Sequence, residues 1–133
     1  MRAATDLCKY LHMNADSGEA LGPDDTYVEL AVEVFAMLAD ATRVRIILAL
    51  RDTELPVNTL AEVVGKSPAA VSQHLAKLRL ARIVLTRHEG TKVFYRLADE
   101  HARQLVADAI HQAEHALSEA PAHHRVTYAR EAR

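Results

Sequence analysis

The stretch SPAAVSQHLAKLRLARIVLTRHEGTKVFYRL, residues 67–97, decides the fold of this chain. It opens with Ser67, a side chain that caps helix N-termini, followed by Pro68 at the first helical position, where a proline costs no hydrogen bond. Apolar residues then recur at helical spacing and predict one buried face. They are Val71, Leu75 and Leu78.

Two strands follow that helix. Ile83–His88 and Lys92–Leu97 alternate between apolar and polar residues, as half-buried strands do. Between them, Glu89 and Gly90 supply a tight turn, because glycine tolerates a positive φ. The segment therefore predicts a helix followed by a β-hairpin.

The preceding residues predict three more helices. The first covers about residues 26–38 with Asp24 or Asp25 as its cap, and a second starts at Asp40 or Thr42. A third, short helix is capped by Asn58 and ends at Gly65. A short glycine turn between two helices is the helix-turn-helix arrangement.

A long helix is expected after the hairpin, over about residues 100–117, with Asp99 as its cap. The predicted fold class is mainly α with a β-hairpin wing, that is, a winged helix-turn-helix. The predicted organisation is a mobile arm at 1–24, the winged domain at 25–118 and a histidine-containing tail at 119–133.

Length and composition restrict the classes of protein that fit. One domain of 133 residues, half of them apolar, can bury a real core and still gain from dimerisation. A lone Cys8 excludes a disulfide framework and fits a reducing cytoplasm. No apolar run approaches a membrane span, so we expect a cytoplasmic protein with no membrane partner.

Charge is concentrated in the decisive segment. Between residues 66 and 97 there are seven Lys or Arg and one acid, Glu89, although the whole chain carries a formal net charge of −2. Such a basic surface indicates a nucleic-acid binder. The plainer alternative is a solvated basic face on an ordinary helix and hairpin.

The predicted DNA-reading side chains lie on the capped helix and the wing. Small or polar residues at the start of a recognition helix let it approach base edges, and Gln73 can pair bidentately with adenine. The candidates on the helix are Ser67, Ala69, Ala70, Ser72, Gln73 and Lys77. Those on the wing are Arg87, His88 and Lys92, which could reach phosphate or the minor groove.

The segments ADATRVRIILAL (39–50), LAEVVGKSPAAVSQHLAKLRLARIV (60–84) and GTKVFYRL (90–97) resemble the ArsR/SmtB family of winged-helix metalloregulators. The resemblance covers roughly residues 28–117. It implies a repressor that binds double-stranded operator DNA as a homodimer, formed through its N- and C-terminal helices. It also implies release from the operator by a metal or another inducer, and places Ser72 and Gln73 where the family reads bases.

The family's thiolate site for soft metals does not fit this chain. That site takes cysteines from a segment ELCVC, whereas this chain has ELPVN at 54–58, with Pro56 and Asn58 at the two cysteine positions. Since Cys8 is the only thiol, we do not expect a soft-metal cysteine site within one chain, although one Cys8 per protomer could add a ligand.

The C-terminal helix carries other ligand types. His101 lies at its start and His115 near its end, roughly 21 Å apart along the axis at about 1.5 Å per residue. One helix cannot chelate a metal with both, but two antiparallel helices across a dimer axis would give two symmetric inter-subunit sites. Fourteen residues return to within about 40° of one face, so a single interface can hold both ends.

Two metal-ligand sets are implied by the resemblance. The family's zinc pattern falls on Asp99, His101, Gln112 and His115, where Gln112 departs from the expected histidine and weakens a tetrahedral zinc site. The nickel- and cobalt-sensing branch fits better, and mixed imidazole and carboxylate ligands suit those metals. Its ligands would be His101, Glu114, His115, His123 and His124.

Plainer alternatives remain open. Asp99 can be a ligand, a helix cap or both, Glu114 a solvated charge, and His123-His124 part of a disordered tail. The predicted function is a repressor that is released from its operator by Ni(II) or Co(II). The family resemblance implies that it controls metal efflux. The alternatives are a Zn(II)-sensing repressor of the same family and a winged-helix regulator without any metal ligand. An enzyme is not expected, because HExxH, nucleophile-elbow and phosphate-loop motifs are missing from the sequence. We therefore expect no small-molecule substrate.

Overall fold

Five helices and three strands follow one another in the computed structural model, which describes residues 21–118. In chain order they are α1 (Val28–Leu38), α2 (Ala41–Ala49), β1 (Leu55–Pro56), α3 (Val57–Val64), α4 (Pro68–Leu80), β2 (Val84–Glu89), β3 (Lys92–Leu97) and α5 (His101–Ser118). This order confirms the predicted winged helix-turn-helix. The predicted tail, with His123 and His124, and most of the predicted arm, with Cys8, lie outside the described residues.

The core forms around the inner face of α4. Three of its side chains, at i, i+4 and i+7, are completely buried: Val71, Leu75 and Leu78. They belong to one apolar cluster with residues of α2, α3, the wing and α5, among them Ile46, Ile47, Leu60, Val84 and Val106. Because this cluster joins every layer of the domain, α4 is held rigidly with its opposite face outward.

Local signals fix two of the helix starts as predicted. Asp40 accepts a hydrogen bond from the Arg43 amide at 3.0 Å and caps α2. Ser67 accepts one from the Ala70 amide at 3.2 Å and caps α4. Between α3 and α4, Gly65 adopts a φ of +69°, the left-handed conformation that ends helices and favours glycine.

Two predicted caps were wrong. Helix α1 begins at Val28 after Tyr27, and the Asp25 carboxylate accepts instead from the Tyr27 amide, two residues ahead of the capping position. Asn58 does not cap α3, because the chain leaves β1 at Pro56 and is helical from Val57 onward. Proline fixes its own φ and lets a helix begin at the next residue, so it sets this boundary.

The sheet is antiparallel, with strand order β1-β3-β2. The predicted hairpin is present: β2 pairs with β3 from Val84↔Leu97 to Glu89↔Lys92, and Gly90 turns with a φ of +61°. The first strand of the hairpin begins and ends one residue later than predicted, so Glu89 belongs to β2 and the turn is at residues 90–91. The third strand was not predicted. It has only two residues, with Leu55 opposite Tyr95, and it ties the wing to the start of the helix-turn-helix.

Helices α1 and α5 remain largely uncovered within one protomer. None of the α1 side chains is buried, and Val32 and Phe35 are 59% and 57% exposed. In α5 only Ala102 and Val106 are buried, and every residue from 111 to 118 is exposed. Apolar helix faces of this kind favour coverage by another surface.

His74, on α4, faces the interior and the cap of α2. Its Nδ1 lies 3.9 Å from the Asp40 carboxylate and has no hydrogen-bond partner among the described residues. This placement agrees with a packing role for His74. His74 of α4 therefore lies beside Asp40, the residue that caps α2.

Burial predicts opposite outcomes for two leucines of α4. Replacing the fully buried Leu75 by alanine should lower the free energy of unfolding by about 2–5 kcal/mol, because it leaves a cavity in the core. Replacing Leu80, which is 80% exposed, should change it by less than about 0.5 kcal/mol. Urea unfolding followed by circular dichroism compares the two, and similar losses would contradict the packing described.

Asp40 should contribute to acid sensitivity. The hydrogen bond from the Arg43 amide, with smaller effects of His74 and Arg43, lowers the pKa of Asp40 below its ordinary 3.8, although desolvation opposes this. A lowered pKa stabilises the fold above about pH 4, and the contribution is lost as the pH falls through the folded-state pKa. Asp40→Asn keeps a capping oxygen but cannot titrate. Its urea midpoint should therefore fall less steeply below about pH 4 than that of the wild type, and parallel curves would exclude this role.

Candidate nucleic-acid interface and metal-ligand helix

The outer face of α4 presents small and polar side chains. Ser67, Ala69, Ser72, Gln73 and Lys77 are exposed, and Ala70 is half-buried. This arrangement follows from the periodicity that buries the apolar stripe on the other face. The first two turns therefore offer a hydroxyl and an amide on a surface without bulky groups, which suits entry into a major groove.

All seven basic side chains between residues 66 and 97 are exposed, on the recognition helix, the segments at its two ends and the wing. Lys77 and Arg79 lie in the last turn of α4, where positive charge also favours the helix dipole. Arg82 follows with a φ of +59°, and the Ile83 amide donates to the Leu78 carbonyl at 2.9 Å. This left-handed residue closes α4 and directs the chain into the wing.

The three predicted wing residues differ in their surroundings. His88 and Lys92 are exposed near the turn. Arg87 instead donates from Nε to both oxygens of Glu54, at 2.9 and 3.2 Å, and from Nη1 to Glu89 at 3.0 Å. Its guanidinium carbon also lies 4.7 Å from the centroid of the Phe94 ring. Its predicted contact with DNA stays a prediction, but the N–H groups of Arg87 point to carboxylates of its own chain.

Sequence reasoning missed Glu54. Glu54 and Arg87 are 33 positions apart, and no periodic or short-range pattern joins them. The hydrogen bond from Arg87 lowers the pKa of Glu54 despite some desolvation, so its carboxyl is ionised at neutral pH.

The predicted metal ligands that the structure describes are all exposed on α5 or just before it. Asp99 accepts a hydrogen bond from the His101 amide at 2.9 Å, so its side chain acts at the helix start as predicted. His101 is the first residue of α5, and Glu114 and His115 belong to its last turns. Within residues 21–118, no group of three or more His, Cys, Asp or Glu could hold a metal in one protomer.

A groove beside the start of α5 brings one end of this helix next to α1. It is lined mainly by apolar side chains, including Val28, Phe35 and Leu105, and His101 and Asp99 lie along it. The other end of α5, with His115, is roughly 21 Å away along the same helix. The structure thus places the two predicted ligand groups on one helix but does not bring them together.

Asp108 was also missed by sequence reasoning. It lies seven residues from both His101 and His115, within about 20° of each on the helix surface. Its carboxylate accepts a hydrogen bond from Gln104 at 3.0 Å.

No helix in the described part of the chain is long and apolar enough to cross a membrane.

Comparison with protein families identifies the regulator class of this fold. The profile described as "Bacterial regulatory protein, arsR family" matches residues 40–86. The Mycobacterium tuberculosis HTH-type transcriptional regulator KmtR is 61% identical over 113 residues, which is 85% of this chain and 86% of that protein. A Staphylococcus aureus homolog of the cadmium resistance regulatory protein CadC is 36% identical, over 82% of this chain and 93% of its own length.

Solved structures agree with this assignment. The crystal structure of M. tuberculosis Rv0081 superposes with a TM-score of 0.64 at 30% identity, covering 72% of this chain and 97% of that one. The homodimeric winged helix-turn-helix DNA-binding domain Mb0332 from Mycobacterium bovis, solved by NMR, gives a TM-score of 0.58 at 28% identity. That comparison covers 71% of this chain and 91% of Mb0332. These relatives are DNA-binding transcriptional regulators and not enzymes.

Base reading by α4 can be separated from charge attraction. If Gln73 pairs bidentately with a base as predicted, Gln73→Ala should lower operator affinity by about 1–3 kcal/mol and leave binding to unrelated DNA unchanged. Lys77→Ala, one turn further along, should weaken binding to both DNAs alike and lower the salt slope by about one. Fluorescence anisotropy measures all four affinities. A Gln73→Ala protein that binds the operator normally would refute the assignment.

Proposed function

Because this chain belongs to the arsR family of bacterial regulatory proteins, we propose that it is a homodimeric repressor released from its operator by Ni(II) or Co(II). The observation that carries the proposal is the distribution of ligands along α5. His101 and His115 share one exposed face at the two ends of a continuous helix. Two copies packed antiparallel would bring the start of one helix beside the end of the other.

The uncovered faces of α1 and α5 support a dimer through these helices. Val32 and Phe35 on α1 and Leu117 on α5 are each more than half exposed in one protomer. The apolar groove between α1 and the start of α5 also contains His101. A second copy covering that groove would bury apolar surface and place its own ligands near His101.

The proposed ligands are His101, Glu114 and His115, with His123 and His124 of the tail and Asp99 as a further oxygen donor. Imidazole and carboxylate together suit nickel and cobalt, which accept more ligands than tetrahedral zinc. Exposed side chains on a helix are accessible to an incoming ion. The resemblance of the chain to the nickel- and cobalt-sensing branch supports the same ligand set.

Release would follow from competition between two dimer geometries. Two recognition helices can enter successive major grooves only if they are about 34 Å apart. A metal held between two α5 helices fixes their mutual position. If that position is unsuited to the groove spacing, operator affinity falls by the coupling free energy, and DNA weakens metal binding by the same amount.

A zinc sensor is the second candidate. Asp99 and His101 lie together at the start of α5, and with His115 of a second copy they provide three zinc donors. A water or a tail histidine would complete four-coordination. The absorption spectrum of the cobalt complex separates the two candidates, because six-coordinate cobalt absorbs far more weakly than tetrahedral cobalt. A regulator that responds to none of these metals is the third.

His101 gives a direct test of the sensing site. In the wild type, nickel should lower operator affinity about 5- to 150-fold, the usual range of allosteric coupling. His101→Ala should bind the operator as the wild type does and lose most of this response. His111→Ala, also an exposed histidine of α5 but outside the proposed ligand set, should keep it. Nickel-driven release of the His101→Ala protein would refute the site.

A further inference from the structure

The guanidinium of Arg87 lies at the centre of a cluster that joins all three strands. Glu54 immediately precedes β1, Arg87 is on β2, and Phe94 lies opposite Arg87 on β3. Each of the three guanidinium nitrogens donates to a carboxylate, with Nη2 also bonded to Glu54, and the ring of Phe94 packs against the cation. We call these four residues, Glu54, Arg87, Glu89 and Phe94, the wing clamp.

Charge within the wing clamp argues against a phosphate ligand at Arg87. Two carboxylates surround one guanidinium, so the cluster carries net negative charge. The fork geometry of Arg and carboxylate is also bidentate, the arrangement that gives an exposed ion pair a defined orientation. Each nitrogen of this guanidinium already donates to a carboxylate of its own chain.

Backbone pairing alone holds the wing weakly to the rest of the domain. Strand β1 contributes only two residues, with Leu55 opposite Tyr95 and Pro56 opposite Phe94. Pro56 has no amide to donate, so a ladder of two residues offers few backbone hydrogen bonds to β3. The side-chain fork between Glu54 and Arg87 adds a second connection, at the point where the chain enters α3 and the helix-turn-helix.

We propose that Glu54 is a positioning residue for operator binding, which holds the wing through Arg87 at the angle where His88 and Lys92 meet the DNA. This inference rests on the proposed operator binding and adds a residue that does not touch DNA. An acidic residue would thus strengthen the binding of a polyanion. The hydrogen bond from Arg87 lowers the pKa of Glu54, which agrees with an ionised carboxylate in this pair at neutral pH.

The direction in which one substitution changes operator affinity tests the inference. Glu54→Gln removes a negative charge, so a simple charge effect would strengthen DNA binding. The clamp predicts the reverse, a loss of operator affinity of roughly three- to thirtyfold, with an unchanged slope of log affinity against log salt. The matched control is Glu62→Gln on α3, because Glu62 is exposed and its side chain makes no hydrogen bond or ion pair within residues 21–118. This variant should bind equally or more tightly.

Two variants of Arg87 distinguish a clamp from a phosphate contact. Arg87→Lys keeps the charge but not the fork, so it should lose about as much affinity as Glu54→Gln, and the double variant should lose little more. Arg87→Gln should leave the salt slope unchanged. A salt slope lower by about one in Arg87→Gln, or tighter binding by Glu54→Gln, would overturn the inference.

Thermal unfolding of the same proteins provides the structural control, since the pair is partly exposed and the variants should melt near the wild type. If affinity falls only in proportion to lost folded protein, the positioning role is refuted. Failure of the wild type to bind operator DNA would instead refute the proposed function, so the two failures are distinguishable.

Discussion

Complete burial of three side chains on the inner face of α4 is the contact on which the rest of the molecule depends. Val71, Leu75 and Leu78 reach into a cluster contributed by α2, α3, the wing and α5. Because a helix has only one rotation that buries this stripe, the same contact turns Ser72 and Gln73 outward. The polar outer face of α4 is therefore a consequence of the core, and its orientation is as rigid as the core itself.

A second constraint comes from the length of α5. A helix of 18 residues separates its ends by more than any single metal ion can bridge. Ligands at its two ends could hold the same metal ion only if a second chain placed the opposite end of its own helix beside them. The apolar groove beside His101 and the exposed face of α1 lie where such a chain would pack. In this account dimer formation and metal sensing use one surface, which is how the binding of an ion would reach the DNA-binding face.

Local sequence signals predicted most of the fold. Ser67-Pro68 set the start of α4, Gly65 and Gly90 marked positions with positive φ, and Asp40 capped α2, because each effect acts within a few residues. The failures also have physical causes. Asn58 is a good capping residue, but Pro56 fixed the helix start first, and the two-residue strand β1 is too short to show a period.

Contacts between distant segments could not be predicted from local sequence signals. The sequence predicts a DNA contact for Arg87 because this residue is basic and lies on a wing, and only the fold shows that Glu54 lies beside it. The proposed metal ligands illustrate the other limit. Their residue types and spacing on α5 follow from the sequence, whereas an arrangement of two chains that would bring them together depends on packing between copies, which no local pattern specifies.

The most direct test of the central claim uses labelled DNA from the promoter of the gene that encodes this protein. Its fluorescence anisotropy is measured as apo protein is added, and then as Ni(II), Co(II) or Zn(II) is added to the complex. We expect tight binding by the apo protein and release by nickel or cobalt at concentrations where zinc has little effect. Release by zinc alone would favour the four-coordinate site instead. Tight binding that no metal changes would contradict the claim that the histidines of α5 sense a metal.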